Sequence, residues 1–212
     1  ETVTIAGANG DQIGAYLARP LDSAPRGGVL VIHHIPGYDE GTRDITRRFA
    51  AQGYNAICPN LFWRYGAGLG AADGAAAARE AGGVPDEQFA GDATGAVAAL
   101  RSLSNANGKV AAIGFCSGGR QAIIAACDVP IDAAIDCYGG VVVGDPIPQL
   151  PPTMQPIPHR IPDVKVPVLG LFGKEDRNPS PEHVEQLAAL MASNGKHFEP
   201  HSFDDAGHGF LN

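Results

Sequence analysis

The segment Gly114-Phe115-Cys116-Ser117-Gly118-Gly119 constrains this chain more than any other. It follows the apolar run Val110-Ala111-Ala112-Ile113 and precedes the helix-like Gln121-Ala122-Ile123-Ile124-Ala125-Ala126. A buried strand that feeds straight into a helix must reverse within one or two residues, and the flanking glycines permit a bend that larger side chains would block. Such a turn lifts Cys116 above the end of a sheet, as a nucleophile elbow carrying a thiol where a hydroxyl usually sits. The competing reading is a structural cysteine, since free cysteine is among the most buried residue types.

The rest of the chain alternates strand and helix patterns. Residues 2–5 and 13–19 flank Ala8-Asn9-Gly10-Asp11, whose Asn-Gly pair predicts a hairpin and an antiparallel edge. The run 28–34 is continuously apolar up to its two histidines and ends in a Pro-Gly turn, as a central parallel strand does. A helix is expected over 42–52, with Ile45, Phe49 and Ala50 on one face and Gly53 closing it; a strand follows at 54–58 and stops at Pro59. Residues 61–85, rich in Gly and Ala, read as a lid or loop with some helix. Helical spacing returns over 86–103, and strand 109–115 enters the elbow. Further strands are expected at 133–138, 166–172 and 197–203, with a helix at 181–192. Between them, residues 145–162 carry seven prolines and exclude both helix and central strand. The order implies an α/β fold, a mostly parallel, doubly wound sheet with flanking helices in one domain over 1–212.

At 212 residues the chain is long enough for one ample core. Its net charge of −8 and scattered basic residues argue against nucleic-acid binding, which needs a clustered Lys/Arg stripe. Cys58, Cys116, Cys127 and Cys137 show no C-x-x-C spacing, so neither a disulfide framework nor a zinc site is expected. No apolar stretch approaches the ~18 residues of a membrane span, and the first residues lack a leader pattern. The expectation is a cytoplasmic monomer or homodimer, with no membrane partner, metal or organic cofactor.

A thiol nucleophile needs a base, and the base needs a group to hold its tautomer. Asp176 follows the strand pattern ending near Gly173, and His208 sits in Ala206-Gly207-His208-Gly209-Phe210 after the last strand. Asp176 also reads as a turn residue before Asn178-Pro179, with Glu175 and Asp204 as alternative acids, and His208 as a surface-loop histidine. Nucleophile, acid and histidine in that order match the α/β-hydrolase fold. Together with Cys58-Pro59-Asn60-Leu61-Phe62 and Gly173-Lys174-Glu175-Asp176, these motifs make the chain resemble the dienelactone hydrolase (carboxymethylenebutenolidase) family over nearly its whole length. The resemblance implies a Cys116-His208-Asp176 triad. It also implies an oxyanion hole of the Ile35 and Ser117 amides, and opening of a lactone or small ester through a cysteinyl thioester.

The chain departs from that pattern in two places. A glutamate of the family is replaced by His34, and an arginine that binds the lactone carboxylate is replaced by Asn212. His33 and His34 point to opposite faces of a strand, so they make a poor metal pair. His34 is expected near Cys116 or substrate. Arg120 and Arg64, with Arg79 and Arg177 behind them, are the candidates for anion binding, and Trp63, Tyr38 and Tyr138 for pocket walls. The family's further C-terminal helix is expected to be lacking. The alternatives to a lactone hydrolase are a promiscuous carboxylesterase for uncharged esters and a redox-sensing thiol protein.

Overall fold

The computed structural model describes residues 1–211. Eight strands form one sheet among them: β1 (Thr2–Ala6), β2 (Gln12–Ala18), β3 (Arg26–Ile32), β4 (Asn55–Pro59), β5 (Ala106–Phe115), β6 (Ala133–Cys137), β7 (Val168–Gly173) and β8 (Phe198–Phe203). Their order is β1-β2-β4-β3-β5-β6-β7-β8, antiparallel at β1-β2-β4 and parallel from β4 onward. Five helices connect them: α1 (Glu40–Ala51), α2 (Ala71–Glu80), α3 (Asp86–Arg101), α4 (Ser117–Asp128) and α5 (Pro181–Ser193).

The central strands β3 from Gly28 and β5 from Val110 onward are almost wholly buried on both faces, which is why these stretches run apolar without alternating. One face packs Leu30, Ile32, Val110 and Ala112 against Phe89, Val97 and Leu100 of α3 and Ile123 and Ile124 of α4. The other gathers Val29, Val31, Ile113, Phe115 and Cys137, with Ile45 and Phe49 of α1 packed against them. A buried side chain such as Ile123 contributes roughly 2–5 kcal/mol against truncation to Ala.

Boundaries shifted where caps or bulges decide. Helix α1 begins at Glu40 rather than residue 42, because the Asp39 side chain accepts the Thr42 N–H at 2.8 Å and caps the helix. Strand β5 starts at Ala106, three residues early, across a register shift opposite Arg26 and Gly28. The region 61–85 contains a short 3-10 turn at Trp63–Tyr65 and then α2. The proline-rich segment forms two 3-10 turns, Pro152–Met154 and Pro158–Asp163. Because β3 to β8 run parallel, the loops after them gather at one end of the sheet, where ligands of such folds bind. That end carries Ile35, Cys116, Tyr138, Asp176 and His208.

Candidate active site

Cys116 occupies the turn between β5 and α4 at φ 55°, ψ −118°, a backbone region that L-residues rarely adopt. Its N–H donates to Cys137 O at 3.0 Å, which ties the elbow to the end of β6. The close packing explains two of the glycines. A Cβ on Gly114 would run into the Gly118 carbonyl, and one on Gly118 would lie 2.8 Å from His33 O. Helix α4 therefore begins directly against the end of β3.

That contact brings Ser117, first residue of α4, beside Ile35, in the loop after β3. Both residues line one cleft, and no hydrogen bond among the described residues occupies either amide. Two free N–H groups at a helix N-terminus and a strand end suit an anionic oxygen.

His208, after β8, places Nδ1 2.8 Å from Oδ2 of Asp176, after β7. The other carboxylate oxygen of Asp176 accepts the Asn178 N–H at 2.9 Å, so the buried acid has both oxygens occupied. With Nδ1 on the acid, Nε2 is left for Cys116. The neighbouring Cys116 thiol pushes the His208 imidazole up to about 9; burial works against this, and Asp176 adds to it. Of the alternative acids, Glu175 is exposed and Asp204 pairs with Lys174. The ring of Tyr138, buried and at φ 44°, meets His208 edge-on with centroids 5.3 Å apart.

The cleft runs from Ile35 and Ser117 to α2 and the proline-rich segment. His33 lines it, its Nδ1 bonded to His34 O at 2.9 Å and its Nε2 accepting the Leu61 N–H at 3.2 Å. Burial pushes the His33 ring down to about 4, so it stays neutral, as these two bonds require. His34 points the other way, with Nε2 3.0 Å from Asp39 Oδ2.

Several expected substrate contacts lie elsewhere. Arg120 lines the cleft, but its guanidinium grips Asp86 at 2.7 and 3.0 Å and donates to Gln155 O at 3.1 Å. Arg64 is outside the cleft and bonds Asp92 at 2.8 and 2.9 Å and Asp11 at 2.7 Å. Both are corrected from anion binders to internal ion pairs; near each stands an acid, far off in sequence, that the local pattern does not reveal. Trp63 packs its ring over Gly14 of β2, where a Cβ would come within 2.6 Å, and joins the core rather than the cleft. Tyr38 lines a small neighbouring pocket with Asn60 and Phe62, and Arg43 lies 5.4 Å over its ring. Arg79 of α2 is the arginine that lines the cleft with no ion pair among the described residues. Asn212 lies outside the described residues.

An eight-stranded α/β sheet with a strained thiol at a strand-to-helix turn, and a histidine and an acid on later loops, defines an α/β-hydrolase. Within that class the chain belongs to the dienelactone hydrolase family, whose model matches residues 13–212. It is 36% identical to the "Putative carboxymethylenebutenolidase" of Escherichia coli (strain K12), over 96% of this chain and 74% of that one. The "Carboxymethylenebutenolidase" of Pseudomonas putida is 27% identical, over 99% of this chain and 85% of its own. Among solved structures, a "Putative Dienelactone Hydrolase" from Klebsiella pneumoniae superposes with a TM-score of 0.83 at 27% identity, covering 99% of this chain and 88% of that one. By family, the protein is an ester hydrolase.

Proposed function

We propose that the protein opens a lactone or small carboxylic ester through an acyl-thioester on Cys116. The observation that carries this reading is His208, its Nδ1 2.8 Å from the buried Asp176, at the same end of the sheet as the strained Cys116 turn. His208 takes the thiol proton, and Sγ attacks the carbonyl carbon. A C–S bond forms while the carbonyl electron pair moves onto oxygen, held by the Ile35 and Ser117 amides. Collapse breaks the C–O bond, and His208 gives its proton to the departing alkoxide; in a lactone that oxygen stays on the same molecule. His208 then deprotonates water, which attacks the thioester; the C–S bond breaks and the thiol regains its proton. Asp176 holds the imidazole tautomer throughout. All groups of this scheme are the chain's own side chains and amides.

Cys116→Ala is expected to abolish turnover of p-nitrophenyl acetate and of dienelactone, and rapid mixing with wild type should show an acyl adduct on Cys116 by mass. Full activity of the variant would overturn the mechanism.

A carboxylesterase for uncharged esters is the second reading, favoured by the engagement of Arg64 and Arg120 in internal ion pairs. It leaves Arg79 to decide between the two. If the substrate is anionic, Arg79→Ala lowers kcat/KM for dienelactone and spares p-nitrophenyl acetate; equal effects on both favour the neutral ester. A reducing cytoplasm suits the four cysteines, all of which are free thiols. No helix among the described residues is long and apolar enough to cross a membrane.

A further inference from the structure

The far wall of the cleft is built from a segment with little capacity to hold itself together. Five prolines between residues 146 and 156 lack the N–H donors that would fix a loop by backbone pairing. Gln155 supplies the missing bonds. Its Nε2 donates to Ile147 O at 3.1 Å, Leu150 O at 3.1 Å and Pro151 O at 3.3 Å, and its Oε1 accepts the Ile147 N–H at 3.0 Å. Its backbone carbonyl is held in turn by Arg120 Nε at 3.1 Å, the guanidinium that also grips Asp86 at the start of α3.

The residues beside this knot face the cleft: Pro151, Thr153 and Met154 line it opposite Ala75, Ala78 and Arg79 of α2. The two walls are tied across by Thr153 Oγ1, which donates to Gly82 O at 2.8 Å. On the α2 side, Tyr65 Oη donates to Gly83 O at 3.0 Å. A cleft closed in this way is bounded in length, because lengthening it requires breaking one of these links.

Resting on the hydrolase reading, we propose that Gln155 is a positioning residue that fixes the cleft's end wall and so sets the longest acyl chain the enzyme accepts. It does so through Pro151, Thr153 and Met154, without touching the carbonyl chemistry. A short acyl group needs only the oxyanion end of the cleft and is indifferent to the wall; a long one meets it. Each methylene accommodated or refused in an apolar pocket is worth roughly tenfold or more in specificity.

The test is a series of p-nitrophenyl acetate, butyrate and octanoate with wild type, Gln155→Leu and Thr153→Val. In Gln155→Leu the octanoate-to-acetate ratio of kcat/KM should rise by about tenfold, through a lower KM for octanoate. The acetate kcat should stay within about twofold, and the rate of Cys116 alkylation by iodoacetamide should not change. Thr153→Val keeps the side-chain volume and removes one cross-link, so it should shift the ratio the same way, and serves if Gln155→Leu does not fold. Folded variants with the wild-type ratio overturn this inference while leaving the hydrolase reading intact. A wild type that hydrolyses none of the three esters brings both down.

Discussion

Arg64 holds Asp92 in a two-pronged grip, Nη1 to Oδ2 at 2.8 Å and Nη2 to Oδ1 at 2.9 Å, and Asp92 is fully buried. The same Oδ1 accepts the Ala8 N–H at 2.8 Å, so this pair joins the β1-β2 hairpin, the loop after β4 and helix α3. Truncating one partner leaves a buried charge unpaired, which costs about 3–5 kcal/mol. Arg64→Met should therefore lower the urea midpoint strongly while leaving the preference between dienelactone and a neutral ester unchanged. A variant of unaltered stability with lost selectivity for the anionic substrate would restore Arg64 to substrate binding.

Asp176 tests the link between geometry and rate. Replacing it with Asn keeps the size but supplies an NH2 group that can meet the His208 Nδ1 only in the other tautomer, turning a proton toward Cys116 where an acceptor is needed. By analogy with other triads, kcat should fall by about 10²–10⁴ with little change in the melting curve. Steady-state kinetics on p-nitrophenyl acetate measure this; a loss below about threefold would mean Asp176 does not orient the base.

Asp136 makes stability depend on pH. It is fully buried in β6, accepts the Gly139 N–H at 2.8 Å through Oδ1, and has no partner for Oδ2 among the described residues. Burial pushes its carboxyl from 3.8 up to about 7, against the smaller lowering by the Gly139 N–H. Since the folded pKa lies above the unfolded one, the fold holds a proton that the unfolded chain releases. The contribution is fully present below about pH 4 and is lost as pH rises through about 7. Asp136→Asn, which keeps an oxygen for Gly139, should gain about 1–2 kcal/mol over wild type at pH 8, roughly 3–6 °C in Tm, and less at pH 5. Parallel Tm-against-pH curves for the two proteins would refute the assignment.

Much of this architecture is written locally. The elbow, the apolar β3 and β5 and the acid and histidine loops each rest on a short run of residues whose physics is self-contained. What sequence could not convey is pairing across distance. Arg120 reads as an anion binder because Asp86 stands 34 positions away, and Arg64 because Asp92 stands 28 away. Trp63 reads as a pocket wall because nothing near it reveals that Gly14, on another strand, has left room for its ring. The region 61–85 resisted reading for a related reason: its small residues carry no periodic signal, and α2 is held by the surfaces it meets. Gln155 offers no motif at all, and its importance comes from the carbonyls that prolines leave unpaired around it.

The strained backbone of Cys116 has an evolutionary corollary. Glycine relieves a positive φ, a strain worth about 1–3 kcal/mol for other residues, and a cysteine codon becomes a glycine codon by one base change. A version of this protein with a relaxed turn and no thiol there is thus one mutation away. Within the proposed mechanism, the backbone at this one position therefore sets foldability against chemistry, and the residue that would relax the turn is the one that cannot attack a carbonyl.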